Sequence, residues 1–285
     1  MSTTPLAQWL ERREQCRDRL DSALVARLAA TLGQPCPADQ APLPPLWHWA
    51  FFQLPTPPEG IGDDGHPTRG GFLPPAEGRQ RMWAGGEFEF LTPLRVACDA
   101  ERHSRVASIE EKPGRSGSLL FAAVEHEYRQ AGSVAIRETQ RIVYRQPSAP
   151  KLALDDPMPP ADWSQTVQPD PVLLFRYSAA TFNGHRIHYD WPYATATEGY
   201  PGLVVHGPLI ATLLLHAFSQ ANPEARPRRL RYRGLRPLFA DRPFEVGGRL
   251  VGPGQAELTA GNADGPAQRA TLEFDTPADP EAPRT

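Results

Sequence analysis

The spacing of apolar side chains predicts helical structure in the first part of the chain. Residues 5–33 carry apolar positions at helical intervals, with Asp21 placed to cap a helix and Gly33 placed to end it. Residues 46–53 read Leu-Trp-His-Trp-Ala-Phe-Phe-Gln and are apolar nearly all round, which predicts a buried helix. A proline-rich linker separates these two segments.

The apolar period changes to two between Glu87 and Arg145, which is typical of strands. The clearest strand-like runs are residues 88–90, 105–109, 118–130 and 133–144. The turn-forming sequence Lys-Pro-Gly-Arg-Ser-Gly at 112–117 precedes the third of them. Consecutive long strands joined by short turns predict an antiparallel meander.

The second part of the chain repeats this order of elements after a Pro- and Asp-rich connector at 146–170. Its predicted elements are a strand at 172–177, a helix at 207–220 and strands at 229–232, 244–250, 256–260 and 268–274. The tetrapeptide Leu91-Thr-Pro-Leu94 has a counterpart in Leu235-Arg-Pro-Leu238. We therefore predict an α+β protein of two similar units, residues 1–150 and 151–285, each with a long apolar helix wrapped by antiparallel sheet.

Residues 54–86 are rich in glycine and proline, and we expect no regular element there. The chain has 33 prolines, against the roughly 14 that average usage of about 5% would give. A long segment without regular structure in a compact protein is typical of a binding loop or lid. A solvated linker is the alternative, although Trp83 would be unusual in one.

Charge and cysteine content exclude several classes of function. The net charge of −3 gives no bulk positive charge for nucleic acid, although a local patch could still hold a charged small molecule. Three cysteines without paired spacing argue against a zinc ribbon or a disulfide framework. The start of the chain has no apolar signal core, and the longest apolar run, 209–218, is too short to span a bilayer. We expect a cytoplasmic protein without nucleic-acid or membrane partners.

The segment best suited to chemistry is residues 175–194, which contains His185, His188 and Asn183 among aromatic side chains. Imidazole transfers protons near neutral pH, and aromatic neighbours change its pKa by excluding water. The two histidines, three positions apart, also have the form of a metal-binding pair. No further ligands stand at a typical spacing, so we expect no metal.

This segment resembles the active-site motif of the type 2 enoyl-CoA hydratases, the MaoC-like hotdog proteins. The residues that match the motif are Tyr177, Thr181, Ile187, His188 and Ala194. The departures are Phe182, Asn183, His185 and Arg186, which stand at the motif's Gly, Asp, Asn and Pro. Downstream, Val205-His-Gly-Pro-Leu209 is similar to the family's His-Gly-x-Leu at the start of its central helix.

The closer resemblance is to the hydroxyacyl-thioester dehydratases and the mesaconyl-C4-CoA hydratases, with bacterial itaconyl-CoA hydratases as near relatives. Residues 70–75, 81–86, 112–117 and 142–145 are similar to the amino-terminal half of the mesaconyl group. The resemblance covers roughly residues 45–275. It implies a double hotdog with a pantetheine tunnel, a catalytic second unit only, and hydration of itaconyl-CoA or mesaconyl-C4-CoA to citramalyl-CoA. It implies no cofactor besides the CoA of the substrate, and it allows a homodimer.

The resemblance also implies roles for individual residues. The expected catalytic residues are His188, Asn183 and Gly207, with possible support from Asp190, His185 and Tyr177. His188 would transfer the proton, and the backbone at Gly207 would stabilise the thioester oxygen. An amide is no general base. Either Asn183 positions the water while His188 makes both transfers, or Asp190 or His185 replaces the lost carboxylate.

A dicarboxylyl substrate brings a free carboxylate whose burial requires a partner, and Arg offers a bidentate one. The candidate substrate-binding residues are Arg186, Arg69, Arg79, Arg81, Trp83 and His206. Each arginine has two alternatives, a CoA phosphate contact or a surface charge. A fatty-acyl substrate would not need this arginine. A hotdog thioesterase or a non-catalytic acyl-CoA sensor is the alternative of another class.

Overall fold

The structure, a computed structural model, describes residues 6–68, 70–76, 78–114, 117–146 and 149–276. The strands are β1 (Arg13–Arg19), β2 (Gln80–Phe90), β3 (Asp99–Gly114), β4 (Gly117–Gln130), β5 (Ser133–Arg145), β6 (Trp163–Val167), β7 (Arg226–Gly234), β8 (Phe244–Gly252), β9 (Gln255–Asn262) and β10 (Gly265–Asp275). The α-helices are α1 (Ser22–Leu32), α2 (Pro171–Ala180) and α3 (Gly207–Ala221). Single helical turns lie at Leu6–Trp9, Trp47–Ala50, Pro58–Gly60, Arg186–His188 and Tyr193–Thr197.

These ten strands form one antiparallel sheet in the order β1-β3-β4-β5-β2-β7-β10-β9-β8-β6. Read outward from the centre, each side has the same succession of strands. The two sides join where β2 pairs with β7, from Gly85 opposite Arg233 to Glu89 opposite Arg229. The α+β architecture predicted from the sequence is confirmed, and so are the strands predicted after Glu87 in the first half and after residue 226 in the second.

The repeated tetrapeptide marks the same bend in both halves. After β2, the amide of Leu91 and the next amide both donate to the carbonyl of Ala135, the third residue of β5. After β7, the amide of Leu235 and the next amide both donate to the carbonyl of Ala267, the third residue of β10. The sequence match therefore reflects a shared backbone geometry.

The start of each half also repeats, as a short edge strand followed by a helix. The Asp21 carboxylate caps α1 by accepting from the amides of Ala23 and Leu24. Asp170 caps α2 in the same way, through the Leu173 amide at 2.6 Å. The helix predicted after Asp21 is confirmed, and α1 packs on α2.

Three sequence predictions fail at these edges. Residues 13–19 form β1 rather than a helix, because their alternating charged side chains pair with β3, as Arg102 does with Glu14 at 2.9 Å. Residues 172–177 lie in α2 rather than a strand, since Asp170 and Pro171 supply an N-cap and a first helical residue. The connector predicted at 146–170 contains β6.

Among the described residues, the long helix before the sheet exists only in the second half. There α3 confirms the prediction and packs against β6, β8 and β9. The helix predicted at 46–53 is a single 3₁₀ turn, bounded by Leu46 and Phe52 with φ of 69° and 62°, values outside the helical region. No described helix is both long and apolar enough to cross a membrane.

Hydrogen bonds align the two halves at this point. The Leu43 amide donates to the carbonyl of Leu94, as the Val205 amide does to that of Leu238. Pro45 in the first half is therefore the positional equivalent of Gly207 at the start of α3.

Candidate active site

Two segments break the symmetry of the repeat. In the second half, residues 181–202 follow α2, where the first half has only residues 33–40. In the first half, residues 51–79 precede β2, where the second half has only residues 222–225. The first of these segments carries the histidine motif. The second overlaps residues 54–86, which their glycines and prolines predict to bind or cover a ligand. The part of 54–86 that begins at Gln80 belongs to β2.

The two segments are docked on each other through their backbones. The Arg186 amide donates to the carbonyl of Asp64 at 3.0 Å, and Arg186 Nη1 donates to the carbonyl of Asp63 at 2.9 Å. Gly65 has φ +85°, and a Cβ there would lie 1.9 Å from the Gly184 carbonyl oxygen. Only glycine fits this approach without moving the backbone. The first half therefore closes one side of the motif.

The imidazole of His188 is oriented as a proton acceptor. Its Nδ1 lies 2.7 Å from the carbonyl oxygen of Val204. A carbonyl oxygen only accepts, so Nδ1 carries the proton and Nε2 keeps its lone pair. The ring is 7% exposed, and burial lowers the pKa of His188 to about 3. His188 is therefore neutral at physiological pH.

Four imidazole rings follow one another through the site. The ring centroids are 4.3 Å apart for His66 and His185, 5.4 Å for His185 and His188, and 3.6 Å for His188 and His206, which stack. His206 Nε2 lies 2.8 Å from the Ser178 hydroxyl. Burial above all, helped by the charges of His66 and Arg81, lowers the pKa of His185 to about 3. Burial also holds the pKa of His206 well below its usual range.

Asn183 and Asp190 shape the loop that carries these rings. The Asn183 side-chain oxygen accepts from the His185 amide at 2.9 Å. Asp190 Oδ2 lies 2.7 Å from Arg186 Nη2, and its Oδ1 accepts from the Tyr193 amide at 3.1 Å. The Arg186 guanidinium also lies over the Tyr193 ring, 4.2 Å from its centroid. Both oxygens of Asp190 are thus engaged, and its hydrogen bond to Arg186 lowers the pKa of Asp190.

The amino terminus of α3 is open beside the stacked pair. Gly207 is the first residue of α3, and no side chain caps the helix. A Cβ on Gly207 would meet no atom within 4 Å. The Tyr177 ring lies 5.0 Å from that of His206, and burial raises the pKa of Tyr177 although its hydroxyl bonds to Thr212. An uncapped helix start carries backbone N–H donors and partial positive charge, which suits an oxyanion.

The candidate arginines differ in what they contact. Arg79 is paired with Glu111 at 2.5 Å, and Arg69 lies outside the described residues. Arg81 faces the site closely enough for its charge to lower the pKa of His185. Within the part of the chain that the structure describes, no side chain or carbonyl hydrogen-bonds or ion-pairs with the Arg81 guanidinium. Among the described candidate arginines, Arg186 and Arg79 are held by carboxylates and Arg81 is not.

Trp83 belongs to the core rather than to the histidine cluster. Its indole N–H donates to the carbonyl of Gly85 at 3.2 Å, and its ring packs edge-on against Trp49, with centroids 5.4 Å apart. The structure thus gives Trp83 a packing role at the join between the two halves.

Sequence reasoning missed Asp64 and His66. Their setting, Asp-Asp-Gly-His, is typical of a turn, and nothing local indicates that it reaches the motif. Asp64, His66 and His185 each offer a ligand atom, and these atoms lie within 4.8 Å of one another. Two imidazoles and a carboxylate are a donor set that divalent transition metals accept. Both Asp64 oxygens, however, already face His66, and the nearby charge of Arg81 opposes a cation.

The chain is similar to several known proteins. The family described as hydroxyacyl-thioester dehydratase type 2 matches residues 46–240. Mesaconyl-C(4)-CoA hydratase of Chloroflexus aurantiacus is 44% identical over 96% of this chain and 99% of its own. The mitochondrial hydroxyacyl-thioester dehydratase type 2 of Schizosaccharomyces pombe is 29% identical over 81% of this chain and 88% of its own.

Among solved structures, a MaoC-like dehydratase from Phytophthora capsici has a TM-score of 0.69 at 14% identity, covering 98% of this chain and all of that one. At that identity the likeness establishes the fold, and it confirms the predicted double hotdog. The chain belongs to the hydroxyacyl-thioester dehydratase type 2 family, and it is an enzyme of the hydratase or dehydratase type on the MaoC-like double-hotdog fold.

Proposed function

We propose that the protein hydrates a C5 dicarboxylyl-CoA thioester to citramalyl-CoA. The preferred substrate is mesaconyl-C4-CoA, and its isomer itaconyl-CoA is the second candidate. The observation that carries this proposal is the buried, neutral His188, with its Nε2 lone pair available beside the open start of α3. The name of the Chloroflexus relative, which is 44% identical, supports the choice of substrate.

The chemistry requires a base, an oxyanion site and a source of one proton. His188 Nε2 takes a proton from water as the water oxygen bonds to the β-carbon. The electron pair of the double bond moves toward the thioester oxygen, where the Gly207 amide and the start of α3 stabilise the charge. A proton then bonds to the α-carbon, and the product carries the elements of one water.

Arg81 supports a substrate with a second carboxylate. In mesaconyl-C4-CoA this carboxylate sits on the β-carbon, the carbon that water attacks, so its partner has to lie close to the imidazoles. Arg186 is held by Asp190 and Arg79 by Glu111, whereas Arg81 has no ion-pair partner among the described residues and its charge reaches His185. We assign the substrate carboxylate to Arg81.

The test is Arg81→Gln, with Arg79→Gln as the matched control on the same segment. A charged hydrogen bond is worth about 1.5–3 kcal/mol, so we expect KM for mesaconyl-C4-CoA to rise about 10- to 100-fold. Crotonyl-CoA, which lacks the carboxylate, should be hydrated equally well by the wild type and by Arg81→Gln. If both substrates lose activity equally in Arg81→Gln, Arg81 does not read the carboxylate.

The alternative substrate is a fatty-acyl thioester, as the name of the Schizosaccharomyces relative would suggest. The Arg81 charge beside His185 favours the C5 substrate instead, because a fatty-acyl chain brings no carboxylate to pair with it.

Mass spectrometry of reactions with mesaconyl-C4-CoA, itaconyl-CoA and a long-chain 2-enoyl-CoA separates these functions. We expect a gain of one water on the C5 substrates and little turnover of the long chain. Hydration of the long chain alone would replace the C5 proposal. Release of free CoA without hydration would indicate a thioesterase, and no reaction of any substrate would favour an acyl-CoA sensor.

A further inference from the structure

The segment of the first half that faces the motif is a built turn. Ile61 and Pro67 form an antiparallel bridge, and the Gly62 amide donates to the carbonyl of His66 at 2.8 Å. The Thr68 amide donates to the carbonyl of Gly60 at 2.8 Å. These bonds fix residues 61–68, which we call the docking turn, as one unit against Gly184 and Arg186.

The docking turn brings a carboxylate and an imidazole to the motif. Asp64 Oδ1 accepts from the His66 amide at 2.9 Å, and Asp64 Oδ2 lies 3.3 Å from His66 Nδ1. Both side chains are 22% exposed, so the pair is partly shielded from water. The His66 ring contacts that of His185, and the His185 ring is perpendicular to that of His188, at 88°. A continuous line of contacts, first the Asp64–His66 pair and then the neighbouring imidazole rings, thus runs from Asp64 to His188.

The motif itself lacks the group that such a chain would replace. Asn183 stands where the wider family has a carboxylate, and its side-chain oxygen is occupied by the His185 amide. Asp190, the carboxylate nearest in sequence, has both oxygens engaged by Arg186 and by the Tyr193 amide. Among the described residues of this site, Asp64 is the carboxylate that faces the imidazoles.

We propose that His185 is the second proton-transferring residue of the centre, and that Asp64 and His66 of the first half are its positioning residues. This inference rests on the proposed hydration. The catalytic centre is then shared between the halves. The docking turn supplies the carboxylate that the second half lost at Asn183.

The proton balance of this scheme closes within the site. His188 Nε2 gains a proton from water as the hydroxyl oxygen bonds to the β-carbon. His185, oriented by His66 and Asp64, gives its N–H proton to the α-carbon and in the same step takes up the proton that His188 has gained, since the two rings are neighbours. Both imidazoles end neutral, as they began, and the substrate has gained one water.

Three variants test the scheme against one matched control. His185→Gln should lower kcat about 100-fold, and Asp64→Asn and His66→Gln about tenfold, with KM for mesaconyl-C4-CoA within threefold of the wild type. The control is Asp63→Asn, an exposed neighbour that contacts Arg186 only through its backbone carbonyl. It should keep kcat within twofold. Asp64→Glu should recover part of the activity that Asp64→Asn loses.

A second readout separates chemistry from structure. Added imidazole should restore turnover to His185→Ala, and a purely structural role for His185 would not respond to it. If His185→Ala fails to fold, Asp64→Asn decides the question, because its side chain is partly exposed. Unchanged kcat in Asp64→Asn and His66→Gln, while His188→Ala is inactive, would overturn this inference and leave the hydratase standing.

The remaining outcomes are equally distinct. A wild-type enzyme that hydrates neither C5 substrate would refute the proposed function itself. Metal analysis of the purified protein and assay after EDTA test whether Asp64, His66 and His185 bind a metal ion instead. We expect full activity after chelation. One equivalent of metal per chain, with activity lost on chelation and restored by that metal alone, would overturn the proton scheme.

Discussion

The two halves of the molecule have the same strand order and differ in the side chains that they bury. Equivalent strand pairs show the contrast directly: His126 faces Glu138 in β4 and β5, whereas Leu258 faces Ala270 in β9 and β10. The first half has a buried ionisable network in its sheet and a short turn in place of a helix. The strands of the second half bury mainly apolar side chains, and the buried imidazoles His188 and His206 lie in the segment that leads to the open start of α3.

The difference bears on the oxyanion site that we propose at the start of α3. The first-half equivalent of Gly207 is Pro45, which has no backbone N–H to offer. Pro44 precedes it, and the 3₁₀ turn that follows is too short to build a helix dipole. The same repeat thus supplies donors at one end of the molecule and none at the other.

Glu138 shows what the first half does with its buried charge. Its carboxylate accepts from the Trp49 indole at 3.0 Å, the Tyr128 hydroxyl at 2.7 Å and Gln140 at 2.9 Å. Although burial opposes it, the neighbouring imidazoles of His48 and His126 and the hydrogen bond from Tyr128 lower the pKa of Glu138 to about 2. These hydrogen bonds hold Trp49 in the turn that takes the place of α3 in the first half. The role of Glu138 is therefore structural.

The strongest test of the contrast removes the buried imidazole of each half in turn. His188→Ala should lower kcat about 1000-fold, or about 4 kcal/mol in activation free energy, because the base is gone. His126→Gln removes the buried imidazole of the first half and should leave kcat unchanged. Steady-state hydration assays measure both. Equal losses would show that the buried imidazole of the first half also takes part in the chemistry.

The next effect is on stability. Glu138→Ala leaves the donors of Trp49 and Tyr128 unpaired in the core, and should lower the free energy of unfolding by about 3 kcal/mol. Glu127→Ala, a surface carboxylate on β4 paired with Arg129, should cost less than about 1 kcal/mol. Urea unfolding gives both values. Lost kcat at unchanged stability would place Glu138 in the chemistry instead.

The smallest expected effect separates activity from stability. Gly207→Ala should lower kcat about tenfold, because the new methyl group enters the open space where the thioester binds. The unfolding free energy should rise by about 0.5 kcal/mol, since Ala restricts the unfolded chain and fits a helix. Pro45→Ala, at the equivalent position, should leave kcat unaltered. A Gly207→Ala enzyme with full activity would remove α3 from the mechanism.

Sequence patterns were sufficient where the structure is locally determined. Asp21 and Gly33 predict the bounds of α1, and the repeated Leu-x-Pro-Leu predicts the symmetry of the sheet. His188 and Gly207 were identified through a contiguous motif and the helix that follows it. In each case the residues that define the feature are neighbours in the chain.

The failures have a common physical cause in contacts made at a distance. β1 is polar on both faces because its partner is the charged strand β3, and no local period reveals that pairing. Asp64 and His66 acquire a role only when Gly65 meets Gly184. Arg81 stands out only because the other described arginines of the site are paired.

The contact between Gly65 and Gly184 also has a consequence for how the enzyme matures. The docking turn leaves the ribosome early and stays without its partner until the motif has been synthesised and folded. Closing such a long loop is slow and entropically costly, so this contact is a late step in folding. After dilution from denaturant, we therefore expect activity to recover more slowly than the tryptophans become buried.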